Sequence, residues 1–158
     1  MKIGNIELGD FPLLLAPMED VSDPPFRAVC KENGADLMYT EFISAEGLIR
    51  DADKSVQKLD IYDYERPIGI QIFGEKIESM QEAAAIAENA DPEIIDINYG
   101  CPVKKVACKG AGAGILLDLP KMQAIVRYAC RGQIGAQDAS GRSDVWSREQ
   151  AKPVAVTL

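Results

Sequence analysis

A chain of 158 residues, 47% of them hydrophobic, is long enough for one domain with a real core. Its formal charge of −8 counts against nucleic-acid binding by bulk electrostatics and leaves that role to a local basic patch. Histidine is absent, which excludes Ser-His-Asp and Cys-His nucleophile pairs, an HExxH zinc site and a three-histidine metal centre, so a proton-transfer residue must be Cys, Lys, Tyr, Asp or Glu.

No apolar run approaches the ~18 residues that span a bilayer. The start, Met1 to Leu8, lacks an apolar stretch of signal-peptide length, so the chain is expected to be cytoplasmic and free of membrane. Cys30, Cys101, Cys108 and Cys130 fall at no metal-like or disulfide-framework spacing, which predicts reduced thiols and no metal centre.

Taken in order, Lys2 to Leu8 alternate around Gly4-Asn5 and predict a small hairpin. Leu13-Leu14-Leu15-Ala16 reads as a first core strand stopped by Pro17. Asp23 as N-cap and Pro24 at the first helical position start a helix that Asn33-Gly34 ends, with Phe26, Val29 and Cys30 as its expected apolar face. Asp36 to Thr40 predicts a second strand, Ile43 to Ile49 a short helical piece, and Arg50 to Glu65 helix and surface loop. Pro67 to Gly74 is a third strand, in which Gly69 suggests close backbone approach. Met80, Ala84 and Ala87 recur at helical spacing after Ile77. Ile94 to Asn98 is a fourth strand between Asp91-Pro92 and Gly100, and Asp118 caps a fourth helix with Met122, Ile125, Val126 and Ala129 inward.

Residues 131–150 lose apolar periodicity and predict loop or disorder, whereas Lys152 to Leu158 is strand-like again. Short apolar strands alternating with helices mean an α/β chain with a parallel sheet covered by helices. A doubly wound open sheet and a (β/α)8 barrel both fit, and the lack of GxGxxG after the first strand weakens the dinucleotide-binding version of the former.

The end of the fourth strand and the loop it opens into read Asp96-Ile97-Asn98-Tyr99-Gly100-Cys101-Pro102, followed by Lys105-Val106 and Gly110-Ala111-Gly112-Ala113. With Ala16-Pro17-Met18, Val21, Asp23, Phe26-Arg27 and Gln71-Ile72-Phe73-Gly74, these motifs resemble the bacterial tRNA-dihydrouridine synthases, nearest the B-type branch, over roughly residues 1–127. The resemblance implies an FMN-dependent TIM barrel that reduces the C5=C6 bond of uridines in tRNA with NADPH as electron source. Carried over by motif, Ala16, Pro17 and Met18 would line the flavin and Gln71 would hydrogen-bond its ring edge. Asn98 would hold the uracil, and Cys101 would donate the proton to C5. Thiols are mostly protonated at neutral pH yet acidic enough to protonate carbon, which suits that role.

Other readings of these residues stand beside that one. A free cysteine is usually a small buried hydrophobe. That is the expectation for Cys30, and Cys108 and Cys130 are read as structural. Gln71 satisfies backbone at a strand end in a purely structural reading. Gly110, Gly112 and Gly114 suit either a phosphate cradle or a flexible loop. Lys104, Lys105 and Lys109 form a solvated face or meet RNA phosphates.

A barrel of this type takes about 250 residues. Residues 1–130 supply about four βα units, the N-terminal half of such a barrel, and 131–158 read as an atypical tail with a short terminal strand as a fifth. The resemblance implies a flavin-contacting lysine on strand five, a histidine after strand six, phosphate-binding loops after strands seven and eight and a helical tRNA-binding domain. Val154 to Leu158 shows no such lysine. The break after Arg127 therefore predicts a truncation or altered reading frame. A half barrel is expected to self-associate through its open edges, to bind FMN poorly and to lack activity. Two further functions fit: an FMN barrel acting on free pyrimidines, and a non-catalytic fragment or assembly partner.

Overall fold

The computed structural model describes residues 1–132 and 153–157. Its sheet is built from short parallel strands: β3 (Met38–Tyr39) and β4 (Ile43–Ser44) pair in turn with one side of β5 (Ile68–Phe73), β5 pairs with β6 (Ile94–Asn98), and β6 with β7 (Val154–Thr157). The antiparallel hairpin β1 (Lys2–Ile3) and β2 (Ile6–Glu7) turns at Gly4, whose φ is +58°. The chain is α/β, with five short parallel strands in its main sheet, and the sheet does not close among the described residues.

Helices cover one face. α1 (Pro24–Glu32) begins where the Asp23 carboxylate accepts the Phe26 N–H and ends at Gly34, φ +94°. α2 (Ala45–Leu48) and α3 (Asp53–Gln57) are single turns, and α4 (Ile77–Asn89) is the first long helix on the sheet. α5 (Lys104–Ala107) follows β6, and α6 (Leu119–Gly132) starts where Asp118 Oδ1 accepts the Lys121 N–H at 3.1 Å. Ile70, Ile72, Ile95 and Ile97 face Met80, Ala83, Ala84 and Ala87 of α4 and Ile125 and Ala129 of α6. Each isoleucine contributes roughly 1.5–3 kcal/mol on burial, which makes this layer the main source of stability. The other face of the sheet carries a smaller cluster, Leu37, Tyr39 and Ile94, closed below by Leu8, Ile3 and Ile6 of the hairpin.

Three expectations change. Leu13 to Ala16 is not a core strand: Leu14 makes a single parallel bridge to Leu37, and Leu13 and Leu14 are exposed. Pro12 and Pro17 carry no N–H for a ladder, and among the described residues no strand pairs along the outer side. The apolar stripe of α1 is not buried either. Phe26 and Val29 are exposed, Cys30 is half-buried rather than core, and the buried residue of the helix is Arg27. Ile43–Ser44 is strand before the helical turn begins. Of residues 131–150, expected to be loop or disordered, 133–150 lie outside the described residues, and 131–132 end α6.

Candidate functional site

Along β6 the side chains alternate: Ile95 and Ile97 enter the helical layer, while Ile94, Asp96 and Asn98 share the opposite face. Along β5 the same alternation puts Ile68, Ile70 and Ile72 on one side and Gly69, Gln71 and Phe73 on the other. Because Gln71 is in register with Asp96, and Asn98 with Thr157, the parallel ladders bring four polar side chains together at one end of the sheet. Nearer the hairpin the same face is filled by Tyr39, which lies where a Cβ on Gly69 would come within 2.5 Å of its ring.

The four residues form one hydrogen-bonded set. Gln71 Nε2 donates to Asp96 Oδ2 at 2.5 Å, and Thr157 Oγ1 donates to the same oxygen at 2.7 Å. Asn98 Nδ2 donates to Gln71 Oε1 at 2.9 Å. Asn98 Oδ1 accepts the N–H groups of Gly100 at 3.1 Å and Cys101 at 2.9 Å, an Asx turn that shapes the loop after β6. Burial pushes the Asp96 carboxyl above its usual range, against the hydrogen bonds from Gln71, Thr157 and the Ile97 backbone. Burial, together with the Asp96 charge, pushes the Tyr39 phenol up to about 12.

The Cys101 loop is gripped from its other side as well. Ala113 N donates to Cys101 O at 3.0 Å. Gly112 sits at φ +52°, and a Cβ there would lie 2.7 Å from Cys101 O. Within the glycine-rich stretch, Gly112–Leu117 is a 3-10 helix packed on the cysteine loop. Cys101 itself is half-exposed and lines a groove of about 660 Å³ with Phe42, Phe73, Lys54, Lys58 and Lys105. Phe42 and Phe73 meet edge to face, their centroids 5.1 Å apart. Lys104, Lys105 and Lys109 are exposed.

Glu19 and Asp20 wall the same groove, which places the segment after Met18 beside Cys101. Met18 is held by Ser22, whose hydroxyl accepts from Met18 N and donates to Met18 O, each at 2.9 Å. Ser22 O accepts from Arg27 Nη1 at 2.7 Å, and Arg27 is paired with buried Glu65. Ala16 is exposed, and Pro17 and Met18 are half-buried. Gln71, Asn98 and Cys101 are thus linked by hydrogen bonds, while Ala16, Pro17 and Met18 precede the Glu19 and Asp20 wall of the groove and are not brought into that set. Asp96 and Thr157 were not singled out as site residues in the sequence. For Asp96 the available signals were an acid inside an isoleucine run and its place at the start of the Asp96 to Pro102 motif, whereas Thr157 had none. Among the described residues no helix is long and apolar enough to cross a membrane, and no cluster of three or more metal-ligating side chains occurs.

The sequence model described as dihydrouridine synthase matches residues 14–131. A probable tRNA-dihydrouridine synthase of Rickettsia prowazekii (strain Madrid E) is 40% identical over 119 residues, 75% of this chain and 36% of that protein. One of Aquifex aeolicus (strain VF5) is 41% identical over 112 residues, 70% and 34% of the two chains. The tRNA-dihydrouridine synthase B of Escherichia coli (strain K12) is 39% identical over 116 residues, 73% and 36%. The chain spans about a third of the length of these relatives.

Proposed function

The chain belongs to the dihydrouridine synthase family, and from that premise we propose that its residues 1–130 form the half of a TIM-barrel domain that presents Cys101 to a uridine of tRNA for reduction of the C5=C6 bond. The observation that carries this reading is the placement of Cys101: half-exposed at the C-terminal end of a parallel strand, its backbone fixed by Asn98 on one side and Ala113 on the other. In α/β barrels the reacting groups gather at that end of the strands.

Gln71 uses one of its two amide hydrogens on Asp96 and one lone pair on Asn98, so one donor and one acceptor remain. The side chain is fully buried, so a flavin ring edge would reach them only where the packing over this face opens. Gln71 and the Ala16-Pro17-Met18 turn would hold FMN. Held there and reduced by NADPH, FMN would supply the hydride for C6 of the pyrimidine. Cys101 Sγ–H would give its proton to C5, so that H⁻ and H⁺ together saturate the double bond and the thiolate is left on the protein. Asn98 retains one amide hydrogen, its oxygen being committed to the loop backbone, and would donate it to a pyrimidine carbonyl. Exposed Lys104, Lys105 and Lys109 would meet RNA phosphates, and a tRNA substrate places the protein in the cytoplasm.

Changing the Cys101 codon to Ala at the chromosomal gene and measuring dihydrouridine in the cell's tRNA tests the reading on the natural protein. Removal of a general acid costs about 10²–10⁴-fold in rate, so dihydrouridine is expected to vanish from at least one tRNA position. Unchanged dihydrouridine, with the variant protein present, overturns it.

A further inference from the structure

Asp96 is fully buried between Ile95 and Ile97 in the middle of β6, where an aliphatic side chain would fill the space without taking a carboxylate out of water. Its Oδ2 receives two donors, Gln71 Nε2 and Thr157 Oγ1, while Oδ1 has no hydrogen-bond partner among the described residues. A carboxamide can sit in either of two flipped orientations, but an ionised carboxylate only accepts. With Asp96 accepting, Gln71 must turn its NH₂ to Asp96 and its oxygen to Asn98. Asn98 must then turn its NH₂ to Gln71 and its oxygen to the Gly100 and Cys101 N–H groups. Reversing any one member brings two donors or two acceptors face to face.

We infer that Asp96 is a positioning residue: as the acceptor at the far end of a chain whose polarity the loop amides also fix, it anchors the Gln71–Asn98 pair and, through that pair, holds the backbone that presents Cys101, with Thr157 keeping Oδ2 aimed at Gln71. Its catalytic consequence rests on the reading of Cys101 as proton donor, but the inference itself concerns the geometry of the loop.

The test uses the 158-residue chain with neither flavin nor tRNA, so its failure and the failure of the proposed activity are separable. Amide hydrogen exchange is followed at Gly100 and Cys101. Alkylation of Cys101 by N-ethylmaleimide is measured by peptide mass spectrometry against exposed Cys108 in the same molecule. In Asp96→Leu the loss of an oriented hydrogen bond is expected to speed exchange at both amides about fivefold and to change the Cys101-to-Cys108 labelling ratio, with the amides of α4 unaffected. Asp96→Asn should restore both readouts to within about twofold of the native chain, because its carbonyl accepts from the same two donors. Gln71→Leu breaks the next link without touching Asp96 and is expected to give the Asp96→Leu result, which keeps the test decisive where Asp96→Leu does not fold. Native exchange at Gly100 and Cys101 in either folded leucine variant overturns the inference, as does failure of Asp96→Asn to restore it.

Discussion

Arg27 shows how a single side chain can decide what a helix does. It is the buried residue of α1, and every nitrogen of its guanidinium is engaged: Nε and Nη2 on the Glu65 carboxylate at 3.0–3.2 Å, Nη2 also on Asp60 O at 3.1 Å, and Nη1 on Ser22 O at 2.7 Å. Two desolvated charges are tolerable here because each has its hydrogen-bond partners. Removing one leaves the other stranded. Glu65→Ala is therefore expected to cost about 3–5 kcal/mol, read as a shift in the urea midpoint, whereas replacing both partners by apolar residues of similar volume recovers most of it. A loss below about 1 kcal/mol for Glu65→Ala would show the pair to be idle. Since Ser22 also holds both polar groups of the Met18 backbone, the same substitution should loosen the turn that borders the Cys101 groove.

At the scale of elements, the sequence is readable where independent signals agree. α1 has an Asp cap, a proline start and a glycine stop; α4 has small apolar residues at helical spacing; α6 has Asp118 before its first turn. Leu13 to Ala16 misleads because an apolar run records a preference for burial but not whether a neighbouring strand exists to provide it. β5 and β6 read as continuous apolar strands, yet each is a period-two strand with isoleucines toward the helices and Gln71, Asp96 and Asn98 on the reverse. Identifying that polar set required the register between strands, which pairs residues 25 and more apart and leaves no local pattern. The glycines after Cys101 were visible, but their spacing alone does not separate a cradle from a close packing contact. Gly112→Ala distinguishes the two. Its φ of +52° and the 2.7 Å approach to Cys101 O predict a loss of about 1–3 kcal/mol together with faster Cys101 alkylation. A cradle glycine would leave thermal stability near that of Gly9→Ala, where a Cβ meets nothing within 4 Å.

The molecule as a whole is a sheet with two unpaired margins among its described residues. On one side the outer flank of Leu13 to Leu15 is open, with Leu13 63% exposed and Phe11 95% exposed. On the other, β7 pairs with β6 alone, and Val156, Leu119 and Leu117 lie exposed nearby. Parallel sheets are stable when both faces are covered and their edges closed, and unpaired edges flanked by apolar side chains recruit other chains. The polar set offers a flavin little as it stands, because Gln71 and Asp96 have no exposed surface. A polypeptide of these 158 residues, produced alone, is therefore expected to elute as oligomers whose size falls with dilution and to carry FMN at well under one equivalent after gel filtration. Light scattering coupled to chromatography, with absorbance recorded in the flavin band, reads both quantities in one run. A monomeric yellow peak holding stoichiometric FMN would overturn this expectation.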